Sequence, residues 1–278
     1  MSVTRVRVAA IGFVAVLILF GVLPVQGAVD VEGELDSILS GNHRDAKNAA
    51  RDPYRHPKET LLFFGIRPHM TVVEVWPSSG WWTEILAPLL KDQGRYYAAY
   101  YATQAKGAPA ALRERESAFD AKLAARPDLY GKVVKTYLLA PDFVDLAPKG
   151  SADMVLTFRN VHNWAKAGNA EAMFQACFSV LKPGGILGVK DHRAKPGTSF
   201  ENQVKTGYLT EEYVIGLAER AGFKLVAKSE INANPRDSKE YPAGVWTLPP
   251  TLALGDKDRG KYLTIGESDR MTLKFVKP

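Results

Sequence analysis

Thr71-Val72-Val73-Glu74-Val75-Trp76-Pro77-Ser78-Ser79-Gly80 is a β-branched run that stops in a turn, and the segment behind it, Trp82 to Leu90, has apolar residues at helical spacing. Thr71, Val72, Val73 and Val75 carry two heavy atoms on Cβ, which stiffens χ1 and suits a pleated strand. Pro77 cannot donate to a ladder, and Gly80 accepts a positive φ at no steric cost. The stretch therefore reads as strand, turn and helix, the first half of a crossover unit.

The same alternation continues downstream. Tyr96 to Tyr101 reads as a second strand, residues 107–125 as a charged, Ala-rich amphipathic helix, and Val133 to Leu139 as strand three. Asp153 to Phe158 follows as strand four, Ala170 to Leu181 as a helix, Ile186 to Lys190 as strand five, Thr210 to Ala221 as a helix and Phe223 to Ile231 as strand six. Met271 to Val276 is the last strand. Strands separated by helices of this length imply a parallel sheet with right-handed crossovers, the final pair excepted. The stretch from Asn232 to Arg270 shows no helix signal and is rich in Pro, Gly and charge; a connection this long in a compact domain is expected to cover a site.

Three parts are expected. Residues 1–28 have Arg5 and Arg7, an apolar run from Val8 to Leu23, then Pro24 and the small residues Gly27 and Ala28, the pattern of a cleavable secretory signal peptide. Cleavage near Gly27 or Ala28 would send the chain to the periplasm or outside, with membrane contact only through the leader. Residues 29–65 form a helical lead-in, with stops at Asp52-Pro53 and at Gly65, and residues 66–278 form the main domain. The chain has 278 residues, 46% apolar and 24% charged, enough for one large core. Its net charge of +6 is modest and scattered, and no nucleic-acid footprint is expected. The one cysteine, Cys177, excludes an internal disulfide and reads as a buried helix position.

The Glu74-to-Gly80 turn resembles the S-adenosylmethionine (SAM) binding turn of the class I SAM-dependent methyltransferases. Leu181-Lys182-Pro183-Gly184-Gly185 resembles that superfamily's element before strand five, and Met271 to Lys277 its antiparallel last strand. Within it, Glu74-Val75-Trp76-Pro77 and the ending Asp269-Arg270-Met271-Thr272 are similar to a group of exported bacterial methyltransferases. The resemblance spans residues 60–278. It implies an α/β, Rossmann-like three-layer sandwich with a mostly parallel seven-stranded sheet and an antiparallel last strand. It also implies SAM as methyl donor and a small-molecule acceptor. The cofactor residues it implies are Glu74, Trp76, Ser78 and Gly80, then Asp142 and Phe143 at the adenine, and Asn160. The family's three glycine positions fall on Trp76, Ser78 and Gly80, and the acid usual at the end of strand two is replaced by Ala98-Ala99-Tyr100-Tyr101.

Chemistry is expected at two neighbouring strand exits. Arg159-Asn160-Val161-His162-Asn163-Trp164 leaves strand four and Asp191-His192-Arg193 leaves strand five. Adjacent parallel strands place such exits side by side, so His162, His192 and Asp191 are the catalytic candidates, one histidine acting as general base. Arg51, Arg55 and His56 read as surface residues. Two rival readings stand beside methyl transfer: a non-catalytic binding protein with a degenerate methyltransferase fold, and a metal-dependent hydrolase-like centre on the same three residues. No short ligand motif such as His-Glu-x-x-His supports a metal, and none is assigned. Nothing in the sequence sets an oligomeric state.

Overall fold

The computed structural model describes residues 1–2, 30–105 and 108–278, and Val31–Pro278 forms one compact unit. The expected signal peptide lies outside the described residues. Four short helices open the unit: α1 (Val31–Leu39), α2 (Ala46–Ala49), α3 (Asp52–Arg55) and α4 (Pro57–Phe64). Pro53 and Pro57 sit in the first turns of α3 and α4, where the missing N–H costs nothing, and Gly65 closes α4 in the left-handed conformation. The quoted stretch then gives β1 (Thr71–Val75) and α5 (Thr83–Leu90).

Next come β2 (Arg95–Tyr101), α6 (Ala110–Ala125), α7 (Pro127–Tyr130), β3 (Val134–Leu139), β4 (Phe143–Asp145) and β5 (Ala152–Phe158). The second half holds α8 (Val161–Ala167), α9 (Ala170–Val180), β6 (Leu181–His192), α10 (Phe200–Thr206), α11 (Glu211–Arg220) and β7 (Lys224–Ser229). A 3-10 turn (Gly244–Thr247), α12 (Arg259–Ile265) and β8 (Arg270–Val276) complete it.

The sheet runs β4-β3-β2-β1-β5-β6-β8-β7. From β3 to β6 all neighbours are parallel; β4 and β8 are antiparallel to their partners. Strand order reverses between β1 and β5, so the crevice beyond their carboxyl ends is where an open sheet of this kind places a ligand. Side chains alternate across β1. Val73 and Val75 join the core under α9 and α11, whereas Val72 joins the core under α1, α4 and α5 with Leu35, Leu61 and Phe64. The lead-in helices therefore belong to one of the two apolar layers, each such fully buried side chain contributing roughly 1.5–3 kcal/mol.

The structure departs from the sequence reading in three places. The sheet has eight strands rather than seven, because Phe143–Asp145 folds back on β3 as a strand too short to show a period. The element Leu181-Lys182-Pro183-Gly184-Gly185 lies within β6 as a register shift against β5, not ahead of the strand. Helices α8, α10 and α12 were not expected; each is seven residues long, too short for two turns of apolar repeat, and each ends on a glycine (Gly168, Gly207, Gly266). Thus Asn232–Arg270 is not helix-free. Cys177 is buried in α9, as its apolar neighbours predict.

Candidate active site

The turn after β1 keeps a left-handed backbone at all three glycine-like positions: φ is 52° at Trp76, 55° at Ser78 and 79° at Gly80. For a residue with a Cβ this conformation costs roughly 1–2 kcal/mol, so the turn is held by its surroundings and not by its composition. Trp76 N donates to Ala99 O (2.8 Å) and Gly80 N to Pro77 O (3.0 Å). A Cβ on Gly80 would lie 3.1 Å from the Phe119 ring of α6, so that helix packs directly on the turn. Ser78 and Ser79 are exposed. The Trp76 indole crosses the strand exits: its Nε1 donates to Leu138 O of β3 (2.8 Å), and its ring lies 5.0 Å from Tyr101 and 5.9 Å, edge-on, from Trp164.

Glu74 does not reach the crevice. Alternation along β1 turns it into the α5 layer, where it is buried and accepts from Tyr96 Oη (2.5 Å), which also pairs with Thr83 Oγ1 (2.9 Å). Burial raises its pKa to about 7, with Tyr96 opposing the shift. An acid reaches the β2 exit from α6: Glu116 pairs with Thr103, with Lys135 (2.9 Å) and with Tyr137 (2.9 Å). Asp142 is exposed in the β3–β4 turn, and Phe143 is half-buried against Tyr137.

The β5 and β6 exits carry the other half of the site. In register, Phe158 pairs with Lys190, which sets the residues after each strand at one height. Asn160 Nδ2 donates to Val75 O (2.8 Å), tying the β5 exit to β1. His162 opens α8, and Asp191 is fully buried beside it. Asp191 Oδ1 accepts from His162 Nδ1 (2.8 Å) and from His192 N (2.7 Å), and Oδ2 accepts from His162 N (3.2 Å). A carboxylate can only accept, so His162 carries its proton on Nδ1 and presents the Nε2 lone pair. Among the described residues that Nε2 has no hydrogen-bond partner. His192 differs. Its Nε2 accepts from Arg159 Nε (3.3 Å), so its Nδ1 is the donor to Ser268 Oγ (2.5 Å). Burial, and then Arg159, hold its pKa well below the usual histidine range. His192 is a neutral, fully committed ring; His162 keeps one ring nitrogen without a partner among the described residues.

The ligand atoms of His162, Asp191 and His192 lie within 4.8 Å of one another, close enough for a metal. Their bonding points elsewhere: three of the four ring nitrogens are engaged, and Arg159 occupies the approach to His192. Asn163 faces solvent. Trp246, from the 3-10 turn, stands edge-on 6.3 Å from His162 and walls the dyad. The surface expectation for Arg55 is corrected: it is buried, with its guanidinium 4.4 Å above the Trp81 ring. Glu267 and Ser268, which anchor Arg51 and His192, were not singled out from sequence; the polar run Glu267-Ser268-Asp269-Arg270 abutting a strand is the signal that marks them.

Sheet order, crossover pattern and the β6–β8–β7 ending together define the architecture. The fold is that of the SAM-dependent methyltransferases. No protein-family model matches the chain, and no curated protein is similar to it in sequence. A SAM-dependent methyltransferase from Aquifex aeolicus superposes with a TM-score of 0.54 at 15% identity, covering 89% of this chain and 98% of that one. A (4+2) cyclase, SpnF, superposes with a TM-score of 0.55 at 16% identity, covering 89% of this chain and 92% of that one. A methyltransferase fold thus hosts more than one chemistry, and function rests on the site.

Proposed function

We propose that this protein is an exported SAM-dependent methyltransferase that acts on a small-molecule acceptor at the exits of β1, β5 and β6. The observation that carries the reading is the Asp191–His162 dyad, with its free Nε2, one strand away from a left-handed turn kept at Trp76, Ser78 and Gly80. The residues present fit the donor: exposed Ser78 and Ser79 precede α5 with hydroxyls for a carboxylate, and the half-buried Trp76 indole offers a stacking face for an adenine. SAM supplies an electrophilic methyl group on sulfonium. His162 takes the acceptor's proton on Nε2, Asp191 holds the imidazole in that tautomer and steadies the charge it gains, and Trp246 limits water at the dyad. Calorimetric titration with SAM and S-adenosylhomocysteine tests this. Binding at submillimolar ligand supports it, and absence of binding to folded protein overturns it.

One observation favours a second reading, a binding protein without catalysis. The indole of Trp76 and the ring of Phe119 cover the ground between β1 and β3. In that case SAM does not bind and another ligand uses the β5–β6 side. Export follows from the signal-like residues 1–28, and the mass of the mature protein from fractionated cells checks it: an intact N-terminus in the cytoplasm rules it out.

A further inference from the structure

Positive charge accumulates behind the dyad without matching carboxylates. Glu267 alone serves three arginines: it accepts from Arg51 Nε (2.6 Å) and from Arg270 Nη2, and stands 3.7 Å from Arg55 Nε, beyond hydrogen-bond reach. Lys190 lies in the same interior, its Nζ 3.0 Å from Arg55 O and 4.5 Å from the Trp82 ring. Asp191 is already engaged by His162 and by the His192 N–H. Among the described residues, three guanidinium atoms, Arg51 Nη2, Arg55 Nε and Arg270 Nε, are buried with no hydrogen-bond partner. Three interior cations sharing one carboxylate are costly, and a protein sustains such a cluster when something else supplies the negative charge.

Arg159 is the member of this cluster that follows β5 at the strand exits. It is half-buried, its Nε is spent on His192, and among the described residues no hydrogen bond holds its terminal nitrogens. Its backbone is left-handed, φ 64°, although it is neither glycine nor asparagine. A strained arginine at a strand exit with an open fork is arranged for a ligand and not for the fold. Burial and the neighbouring Arg270 and Arg51 lower its pKa to about 10, and Arg159 is in turn the strongest charge acting against Arg55.

We infer that Arg159, supported by Arg51 and Arg55, is the recognition site for an oxyanion group, carboxylate or phosphate, on the molecule that His162 acts upon. The substrate class is therefore a small anionic compound whose charged end docks on the arginines while its nucleophile reaches Nε2. The inference deepens the reading of the dyad but does not need SAM. A planar guanidinium fork matches both oxyanions, and the charges of Arg51 and Arg55 behind it add to the attraction.

The test is thermal unfolding of the full mature chain in inorganic phosphate, in succinate and in sodium chloride at matched ionic strength, for the wild type and for Arg159→Gln and Arg51→Gln. A rise of several degrees over chloride in phosphate or in succinate, lost in both variants, supports the site, and the stronger anion names the group. Equal melting in all three salts, or a shift that survives both substitutions, overturns it. Arg159→Gly guards against a folding defect: a ligand-binding arginine predicts a variant that melts higher than the wild type in chloride yet gains nothing from the anion, whereas a structural arginine predicts a lower melting point. A phosphate or succinate shift without SAM binding sinks methyl transfer and leaves this site standing.

Discussion

The two halves of the crevice are built in opposite ways. Over β1, β2 and β3 the space is lined by rings: Trp76 on Tyr101, its nitrogen on Leu138 O, and Phe119 against Gly80. The acid of β1 itself, Glu74, is withdrawn under Tyr96 with its pKa raised to about 7. Over β5 and β6 the space is bounded by charge, with a buried Asp191, a free imidazole nitrogen and an excess of guanidinium. Packed apolar ground favours stability, and incompletely partnered charge favours binding at the expense of stability. On the proposed function, acceptor chemistry belongs to the β5–β6 side, and Trp76 is the residue that decides what the β1–β3 side admits.

The largest effect is expected at the charged half. Asp191→Asn keeps the shape and removes the charge that fixes His162, so the turnover rate should fall on the order of a hundredfold or more, with SAM affinity unchanged. An unaltered rate would erase the distinction between the halves. Next is Glu74. Its folded-state pKa lies above its unfolded value, so its contribution is complete below pH 4.5 and is lost as pH rises toward 7. Glu74→Gln removes that loss: urea unfolding should show the variant gaining about 3 kcal/mol over the wild type between pH 4.5 and 7, and no more above. A difference that does not change with pH would mean the carboxylate is solvated.

Trp76→Ala sharpens the comparison. As a stacking face, its loss weakens SAM binding about tenfold, in line with ~1–3 kcal/mol per stacked base. Tighter binding in the variant would mark the indole as a plug and favour the binding-protein reading. The smallest effect is expected at Ser78, exposed at φ 55°. Ser78→Gly should raise stability by ~0.5–1 kcal/mol in thermal melts, the relief of a left-handed Cβ less the added freedom of the unfolded chain.

Much of this was legible before any coordinates. The β-branched run at Thr71–Val75 and its glycine turn announced the crossover unit, and adjacent parallel exits announced that His162, Asp191 and His192 would meet, because parallel register sets both exits level. The same period of two also shows that Glu74 faces away from Val73 and Val75, which a ligand reading by resemblance overlooks. Other features were not readable. Three-residue β4 and the seven-residue helices carry too few repeats to show periodicity. Side-chain direction at a left-handed residue such as Trp76 follows from packing alone. Arg55 looked like surface because buried arginines are rare; what buries it is Glu267, more than two hundred residues later in the chain.

One consequence of the strand order concerns assembly. β7 pairs with β8 and with no other strand, yet the Asn232-to-Asp269 stretch separates them in sequence. Until that whole excursion has closed, β7 is an open ladder and the outer side of β6 lacks its neighbour. Loop closure of this span must precede the contacts that reward it, which makes it a slow step and leaves two strand edges available to other chains meanwhile. Proteins arranged this way are vulnerable to aggregation during synthesis more than after it.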